Sequence, residues 1–203
     1  MNATERRIHD AAVRLFAERG HTELSVSDLA SEAGVARGTL YRNVESVDGL
    51  YEQVRMQLAI DVHERVNEVM GASGITDPAL RLATGIRLLV RHAHENPAMG
   101  RFFVRFGLTD ESLREMLSGP PLRDLNEGID AGRYTAERGR DLSIASMIMG
   151  TTVAAIWMAL EGHQGWREAS SDAAELILIA LGIAPGEARA LATTPLPSAS
   201  LTA

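Results

Sequence analysis

Apolar residues recur at helical spacing along almost the whole chain. In the first segment, for example, Ile8, Ala12 and Phe16 lie four residues apart, which places them on one face of an amphipathic helix. No stretch alternates between apolar and polar residues with the period of two that a half-buried β-strand requires. The pattern therefore predicts an all-α protein with about nine or ten helices.

Candidate capping residues divide this pattern into separate helices. Side chains that can accept hydrogen bonds from the first amides of a helix precede the apolar stripes at Thr4, Ser25, Ser46, Asp77, Thr109 and Asp172. Pro97 ends the helix that starts after Asp77, because proline lacks the amide hydrogen that a helix interior needs. The last three helices are predicted over about 141–162, 172–182 and 185–192. We expect the Pro/Ser/Thr/Ala-rich residues 193–203 to be disordered.

Three short helices occupy the first fifty residues, and the second and third are joined by the tight turn Ala33-Gly34-Val35-Ala36. The glycine supplies the positive φ angle of the turn, and Val35 packs the two helices together, as in a helix-turn-helix. We therefore divide the chain into a three-helix DNA-binding domain (1–48), a second helical domain (49–192) and the tail (193–203).

Charge and composition narrow the classes of function. The chain has 27 acidic and 20 basic residues and a net charge of −7, which argues against non-specific coating of nucleic acid. The window from Ala33 to Val44 nevertheless holds Arg37 and Arg42 and no acid, so the positive potential is local and the salt dependence of DNA binding should be shallow. Cysteine is absent, which excludes disulfides and thiolate chemistry.

No part of the sequence indicates secretion, membrane insertion or catalysis. The N-terminus lacks an apolar signal core, and serines, threonines and a glycine interrupt the apolar stretch 142–160, which we interpret as a buried helix. The chain contains no nucleophile elbow and no phosphate-binding loop, and His92 and His94 do not share a helix face. We expect a cytoplasmic protein that is not an enzyme and needs no cofactor or metal.

Residues 5–52 resemble the DNA-binding domain of TetR-family transcriptional regulators, most specifically in the run Ala-Gly-Val-x-x-Gly-Thr-Leu-Tyr from Ala33 to Tyr41. The resemblance implies an α-helical homodimer that binds a palindromic double-stranded DNA operator. It also implies that the C-terminal part binds a small-molecule effector and dimerises, and that the effector releases a repressor from DNA. A regulator without a ligand, or an activator, is the alternative.

The resemblance assigns DNA contacts to Ser25, Ser27, Arg37, Gly38, Thr39, Tyr41, Arg42 and Asn43. Ser25 and Tyr41 correspond to phosphate ligands, Thr39 to a phosphate or base contact, and Gly38 permits close approach to the groove. The sequence departs from the family pattern at three places. Asn43-Val44 replaces an aromatic or histidine followed by phenylalanine, Val47 replaces a phosphate-binding lysine, and Ala36 replaces the usual Ser/Thr cap. Arg6, Arg7 or Arg55 are candidates to replace the missing lysine.

The rest of the chain carries two sets of candidate residues. The first would line a pocket for a largely apolar effector: Met99, Phe102, Phe103, Phe106, Met116, Leu117, Met147 and Trp157. The second would form a two-fold four-helix dimer interface, because the last two long helices are apolar around too much of their circumference: Ile148, Val153, Ile156, Leu160, Leu176, Ile179 and Ala180. For any one of the pocket residues, an ordinary helical core is the simpler explanation.

Overall fold

The computed structural model describes residues 1–44, 49–136 and 139–197, apart from five side chains between residues 110 and 120. The described residues form eleven helices and no strand, so the predicted all-α fold is confirmed and the number of helices is slightly larger than expected. The helices are α1 (Ala3–Arg19), α2 (Val26–Ala33), α3 (Arg37–Asn43), α4 (Leu50–Ser73), α5 (Pro78–Glu95), α6 (Pro97–Phe106), α7 (Asp110–Ser118), α8 (Pro120–Asp130), α9 (Asp141–Leu160), α10 (Trp166–Ala180) and α11 (Pro185–Thr193). The chain divides into two compact units, Met1–His63 and Glu64–Ala203.

The first unit is built on a three-helix core. Phe16 of α1, Leu29 of α2 and Leu40 of α3 are fully buried, and each such side chain stabilises the fold by about 1.5–3 kcal/mol relative to an exposed one. The N-cap of α1 is Asn2 and not the predicted Thr4, because Asn2 Oδ1 accepts from the amides of Thr4 and Glu5, and Glu5 closes a capping box. The predicted caps Ser46 and Val47, the position of the missing lysine, lie outside the described residues.

The second unit surrounds α5, which packs against α6, α8, α9, α10 and α11. Asp77 caps α5 as predicted, and Pro78 occupies the first turn of this helix. Arg133 donates two hydrogen bonds to the Asp77 carboxylate, both of 3.0 Å, and pairs with Glu187 at 2.7 Å. The guanidinium beside Asp77 holds the pKa of that carboxyl below its usual value. This network ties the start of α5 to the loop after α8 and to α11.

The predicted start of α10 is wrong by six residues. Asp172 and Glu175 have the spacing of a capping box, but the helix begins at Trp166 and carries Asp172 in its interior. A tertiary contact favours the earlier start, because the Trp166 ring lies 5.9 Å from the guanidinium of Arg91 on α5. The neighbouring Arg167 also stacks on this ring, at 4.4 Å. The helix therefore begins where its first residue is held against α5.

The end of the chain is structured further than the sequence predicts. Helix α11 extends to Thr193, and the carbonyl oxygen of Thr194 accepts a hydrogen bond of 2.5 Å from Arg87 Nη1 on α5. Residues 198–203 of the expected disordered tail lie outside the described residues.

Helix α9 is the one described helix whose length and composition alone would allow it to cross a membrane, with a mean hydropathy of 1.7. The same composition is found in core helices of globular proteins. In this structure α9 packs against α5, α6, α7 and α10, and Ile144, Ile148 and Ile156 are buried between these helices. Packing within the second unit therefore accounts for the buried side of α9, which makes up 39% of its apolar window.

Candidate nucleic-acid interface

Helices α2 and α3 form the predicted helix-turn-helix. Ser25 Oγ accepts the amide hydrogen of Asp28 at 3.0 Å and caps α2, while Gly34 ends that helix with a φ angle of +62°. Helix α3 begins after Ala36, which provides no side-chain hydrogen bond. The cost of a missing cap is about 1 kcal/mol of helix stability. The turn residues thus lie as the sequence predicts.

Arg7 of α1 stabilises this turn by hydrogen bonds, a role that the sequence pattern does not indicate. Its Nη2 atom donates to the carbonyl oxygens of Ala33 and Gly34 at 2.7 and 2.8 Å. A cation at the C-terminal end of a helix satisfies the last carbonyls and interacts favourably with the helix dipole. The Nη2 atom is used in the turn, which weakens the suggestion that Arg7 replaces the missing phosphate contact. No local pattern reveals such a contact across 26 residues of sequence.

Exposed polar side chains cover one surface of the helix-turn-helix. Ser25, Ser27, Arg37 and Arg42 are exposed, and Tyr41 is 67% exposed. Arg37 Nη2 donates to Ser27 Oγ at 2.9 Å, so a residue at the start of α2 and one at the start of α3 meet on this surface. We call these five residues the reading surface.

Intrahelical hydrogen bonds restrict the other predicted contacts. Asn43 Nδ2 donates to the carbonyl oxygen of Thr39 at 2.7 Å, and Arg42 Nη2 donates to Thr39 Oγ1 at 3.2 Å. Thr39 and Asn43 are half-buried. A base contact by Asn43 would have to replace the hydrogen bond within α3, so its geometry favours DNA contact less than that of the reading surface.

The acidic residues of α2 are paired with arginines of α1. Arg19 Nη1 lies 2.7 Å from Asp28 Oδ2, and Arg14 Nε lies 2.7 Å from Glu32 Oε1. The hydrogen bond from Arg19 lowers the pKa of Asp28. In the described part of the chain Arg37 and Arg42 have no carboxylate partner. The reading surface is therefore locally positive although the chain is acidic.

Alanine substitutions at two glycines of this motif should have opposite effects on the stability of the first unit. Gly34→Ala is expected to destabilise the first unit by about 1–2 kcal/mol, because alanine is strained at positive φ, and because its Cβ would lie 2.9 Å from Arg7 Nη2. Gly38→Ala meets no atom within 4 Å and should stabilise α3 by about 0.5–1 kcal/mol. Urea unfolding monitored by circular dichroism measures both, and equal effects of the two substitutions would contradict this assignment.

The structure separates the predicted pocket residues by depth. Met99 and Phe102 are buried, and Phe103, Phe106, Leu117 and Met147 are half-buried. The Phe102 and Phe106 rings lie 5.0 Å apart on α6. Trp157 is instead 45% exposed and lies against His163, so it does not belong to an interior set, and the Met116 side chain lies outside the described residues.

The predicted dimer residues also fall into groups. Ile148 and Ile156 are buried within the chain itself. Val153 is half-buried beside Gly107, which follows α6, and Leu160 is half-buried beside Gly100 of α6. The remaining three, Leu176, Ile179 and Ala180, are exposed on α10. These burial differences limit the candidate interface to α10 and the exposed side of α9.

Comparison with known proteins assigns both units to one family. Residues 8–54 match the model described as bacterial regulatory proteins, tetR family, and residues 77–194 match the tetracyclin repressor-like C-terminal domain. An uncharacterized HTH-type transcriptional regulator of Mycobacterium tuberculosis strain H37Rv is 31% identical over 102 residues, which cover 48% of this chain and 47% of that protein. The chain thus spans about half the length of the curated relatives it matches first.

Solved structures match over nearly the full length. RolR in complex with the ligand resorcinol is 29% identical, with a TM-score of 0.70 over 96% of this chain and 95% of that chain. The fatty acid degradation regulator FadR from Bacillus halodurans has the same TM-score over 91% of this chain and 99% of that chain, at 19% identity. At 19% identity, the similarity to FadR supports the fold alone.

Proposed function

Because the chain belongs to the TetR family of bacterial transcriptional regulators, we propose that it is a cytoplasmic, ligand-responsive repressor that binds a palindromic operator as a homodimer. The observation that carries this proposal is the reading surface. Five exposed polar side chains on α2 and α3 include two arginines without a carboxylate partner in the described chain. Arginine can donate two parallel hydrogen bonds to guanine in the major groove.

Individual residues of the reading surface take different roles in this proposal. Ser25 and Tyr41 contact phosphates and set the register of α3, whereas Arg37 and Arg42 donate to base edges. Gly38 lets the backbone approach the DNA, since no side chain separates α3 from the groove there. With few basic residues at the interface, specific contacts contribute more to affinity than the bulk charge does.

The dimer interface in this proposal is an exposed apolar strip on α9 and α10, which we define by Ala154, Trp157, Leu176, Ile179 and Ala180. Leu176 is 61% exposed, and all five residues are exposed in the isolated chain. Association of two copies would remove these side chains from water, and a four-helix arrangement is a common form of such an interface.

The effector is proposed to be a small aromatic or largely apolar molecule bound in the second unit. Two findings support this proposal: RolR, a similar protein, has been crystallised with resorcinol, and α6 carries the neighbouring rings of Phe102 and Phe106. Helix α4 is continuous from Leu50 to Ser73, so a ligand-dependent shift of its C-terminal part would move its N-terminal part as well. Coupling of about 1–3 kcal/mol would suffice to lower operator affinity measurably.

Resorcinol is the first effector to test. We expect 1 mM resorcinol to raise the unfolding temperature by about 2–4 °C for each kcal/mol of binding energy, and to release the protein from DNA upstream of its own gene in a mobility-shift assay. Cyclohexanol at the same concentration is the non-aromatic control. Binding of resorcinol without any change in DNA affinity would contradict the proposed coupling, whereas stable DNA binding without a resorcinol effect would reject this effector.

A further inference from the structure

Arg87, near the middle of α5, is a buried cation for which the described residues supply no counter-ion. The residue is only 9% exposed. Nη1 donates to the carbonyl oxygen of Thr194, a neutral group, at 2.5 Å. Nε is fully buried and has no hydrogen-bond partner, and Nη2 has none among the residues that the structure describes. Burial without a carboxylate lowers the pKa of this guanidinium.

Less buried arginines of the same unit show what Arg87 lacks. Arg81 pairs with Asp124 and Glu127, and Arg133 pairs with Asp77 and Glu187. Buried charges in proteins are almost always paired, because an isolated charge loses its hydration without compensation. Arg87 is more buried than Arg81 and Arg133, yet the described chain supplies a carboxylate to those two arginines and none to Arg87.

We propose that the free edge of Arg87 is a binding site for the carboxylate group of a small organic acid, between α5 and the segment that follows α11. The two donors left free, Nε and Nη2, form the side-on edge of the guanidinium and match the two oxygens of a carboxylate. One negative charge balances one positive charge in a buried site, whereas a phosphate dianion would leave an excess charge in the same place.

Thr84 supplies a second polar group to the same site. It is 3% exposed and precedes Arg87 by three residues on α5, so the two side chains share a face of the helix. The hydrocarbon part of the acid would contact apolar residues on the same face of α5, because Ala83 and Val90 are buried four residues before and three residues after Arg87. The site is separate from the reading surface and does not depend on the proposed repressor activity.

Thermal unfolding of the full chain tests the proposal with benzoate and acetate as probes. At 20 mM and constant ionic strength, each carboxylate is expected to raise the unfolding temperature by about 2–4 °C relative to chloride. The neutral counterparts benzamide and acetamide should give no such rise. A greater effect of inorganic phosphate than of either carboxylate would overturn the assigned ligand class.

Two substitutions test whether the carboxylate-dependent rise in unfolding temperature requires Arg87. Arg87→Gln retains a donor for the Thr194 carbonyl oxygen but removes the charge and the fork, so the carboxylate response should disappear. Arg101→Gln removes an exposed arginine from α6 and should leave the response unchanged. If the Arg101 variant loses as much of the response as the Arg87 variant, or if wild type and Arg87→Gln respond equally, the site is rejected.

Calorimetry on the wild-type protein keeps the test independent of whether the Arg87 variant folds. Acetate should compete with benzoate and raise its apparent Kd at least threefold at 100 mM, while acetamide should leave that Kd unchanged. Absence of benzoate binding, or equal competition by acetamide, would overturn the carboxylate site. DNA binding measured on the same samples tests the proposed repressor separately, because neither the reading surface nor α3 contains Arg87.

Discussion

The double substitution Tyr41→Phe and Arg42→Ala is expected to weaken operator binding about 100-fold, since a bidentate arginine–base contact alone contributes about 1–3 kcal/mol. Tyr41 loses only its hydroxyl, the group that would donate to a phosphate, from a ring that is 67% exposed. Arg42 loses a guanidinium that is held along α3 by Thr39 and Gly38. Fluorescence anisotropy with operator DNA at several salt concentrations measures the change.

The salt series distinguishes the two contributions. Because the Tyr41 hydroxyl is uncharged, its loss should leave the slope of log K against log salt unchanged, so a decrease of about 0.9 would show that Arg42 neutralises a phosphate. Loss of an Arg42 base contact should instead reduce affinity for the operator more than for unrelated DNA. Arg101→Ala, which removes an exposed arginine from α6, is the control for net charge. Unchanged operator affinity in the double variant, with native circular dichroism, would show that α3 is not the recognition helix.

Local chemistry explains why most of the first unit could be predicted from the sequence. Caps, a positive-φ glycine and a buried stripe are properties of neighbouring residues, so the turn at Gly34 and the start of α3 match the expected positions. The interaction of Arg7 with the carbonyl oxygens of this turn joins residues 26 and 27 positions apart. No periodicity encodes such a contact, and the structure was needed to find it.

The second unit was less predictable because its helices are apolar on several sides. Counting apolar positions on α9 cannot distinguish a side covered by the chain itself from a side left for a partner. The structure makes that distinction, since Ile156 is buried among neighbouring helices while Trp157, the next residue, is exposed. Trp166 shows the same limit, because its stacking with arginines favours a helix start that local capping patterns do not indicate.

Arg87 shows how a tertiary contact changes the interpretation of a charge. The sequence alone does not distinguish it from the other arginines of α5 and α6. In the structure it is nearly enclosed and donates to the backbone after α11. Its partner, Thr194, lies 107 residues later in the sequence, so only the folded chain reveals this environment.

Leu176→Glu is expected to convert the proposed dimer into a monomer and thereby to abolish specific operator binding. Leu176 is 61% exposed in the isolated chain, so the glutamate should cost the folded monomer little. In an interface between two copies, however, it would bury a carboxylate without a partner, with a penalty of several kcal/mol for each copy. Sedimentation velocity at 10 µM measures the mass, and anisotropy with a two-half-site operator measures the consequence for DNA binding.

Leu108→Glu is the matched control, because Leu108 is also a highly exposed leucine of the second unit but lies after α6. If the α9–α10 strip holds the dimer together, the Leu108 variant stays dimeric and binds the operator like wild type. Loss of the dimer in both variants would show that added charge alone causes dissociation. A Leu176 variant that stays dimeric would reject the strip. In a dimer, binding of the first half-site holds the second reading surface close to its own half-site at a high effective concentration. A monomer loses this advantage and should therefore lose far more operator affinity than any single substitution in α3 removes.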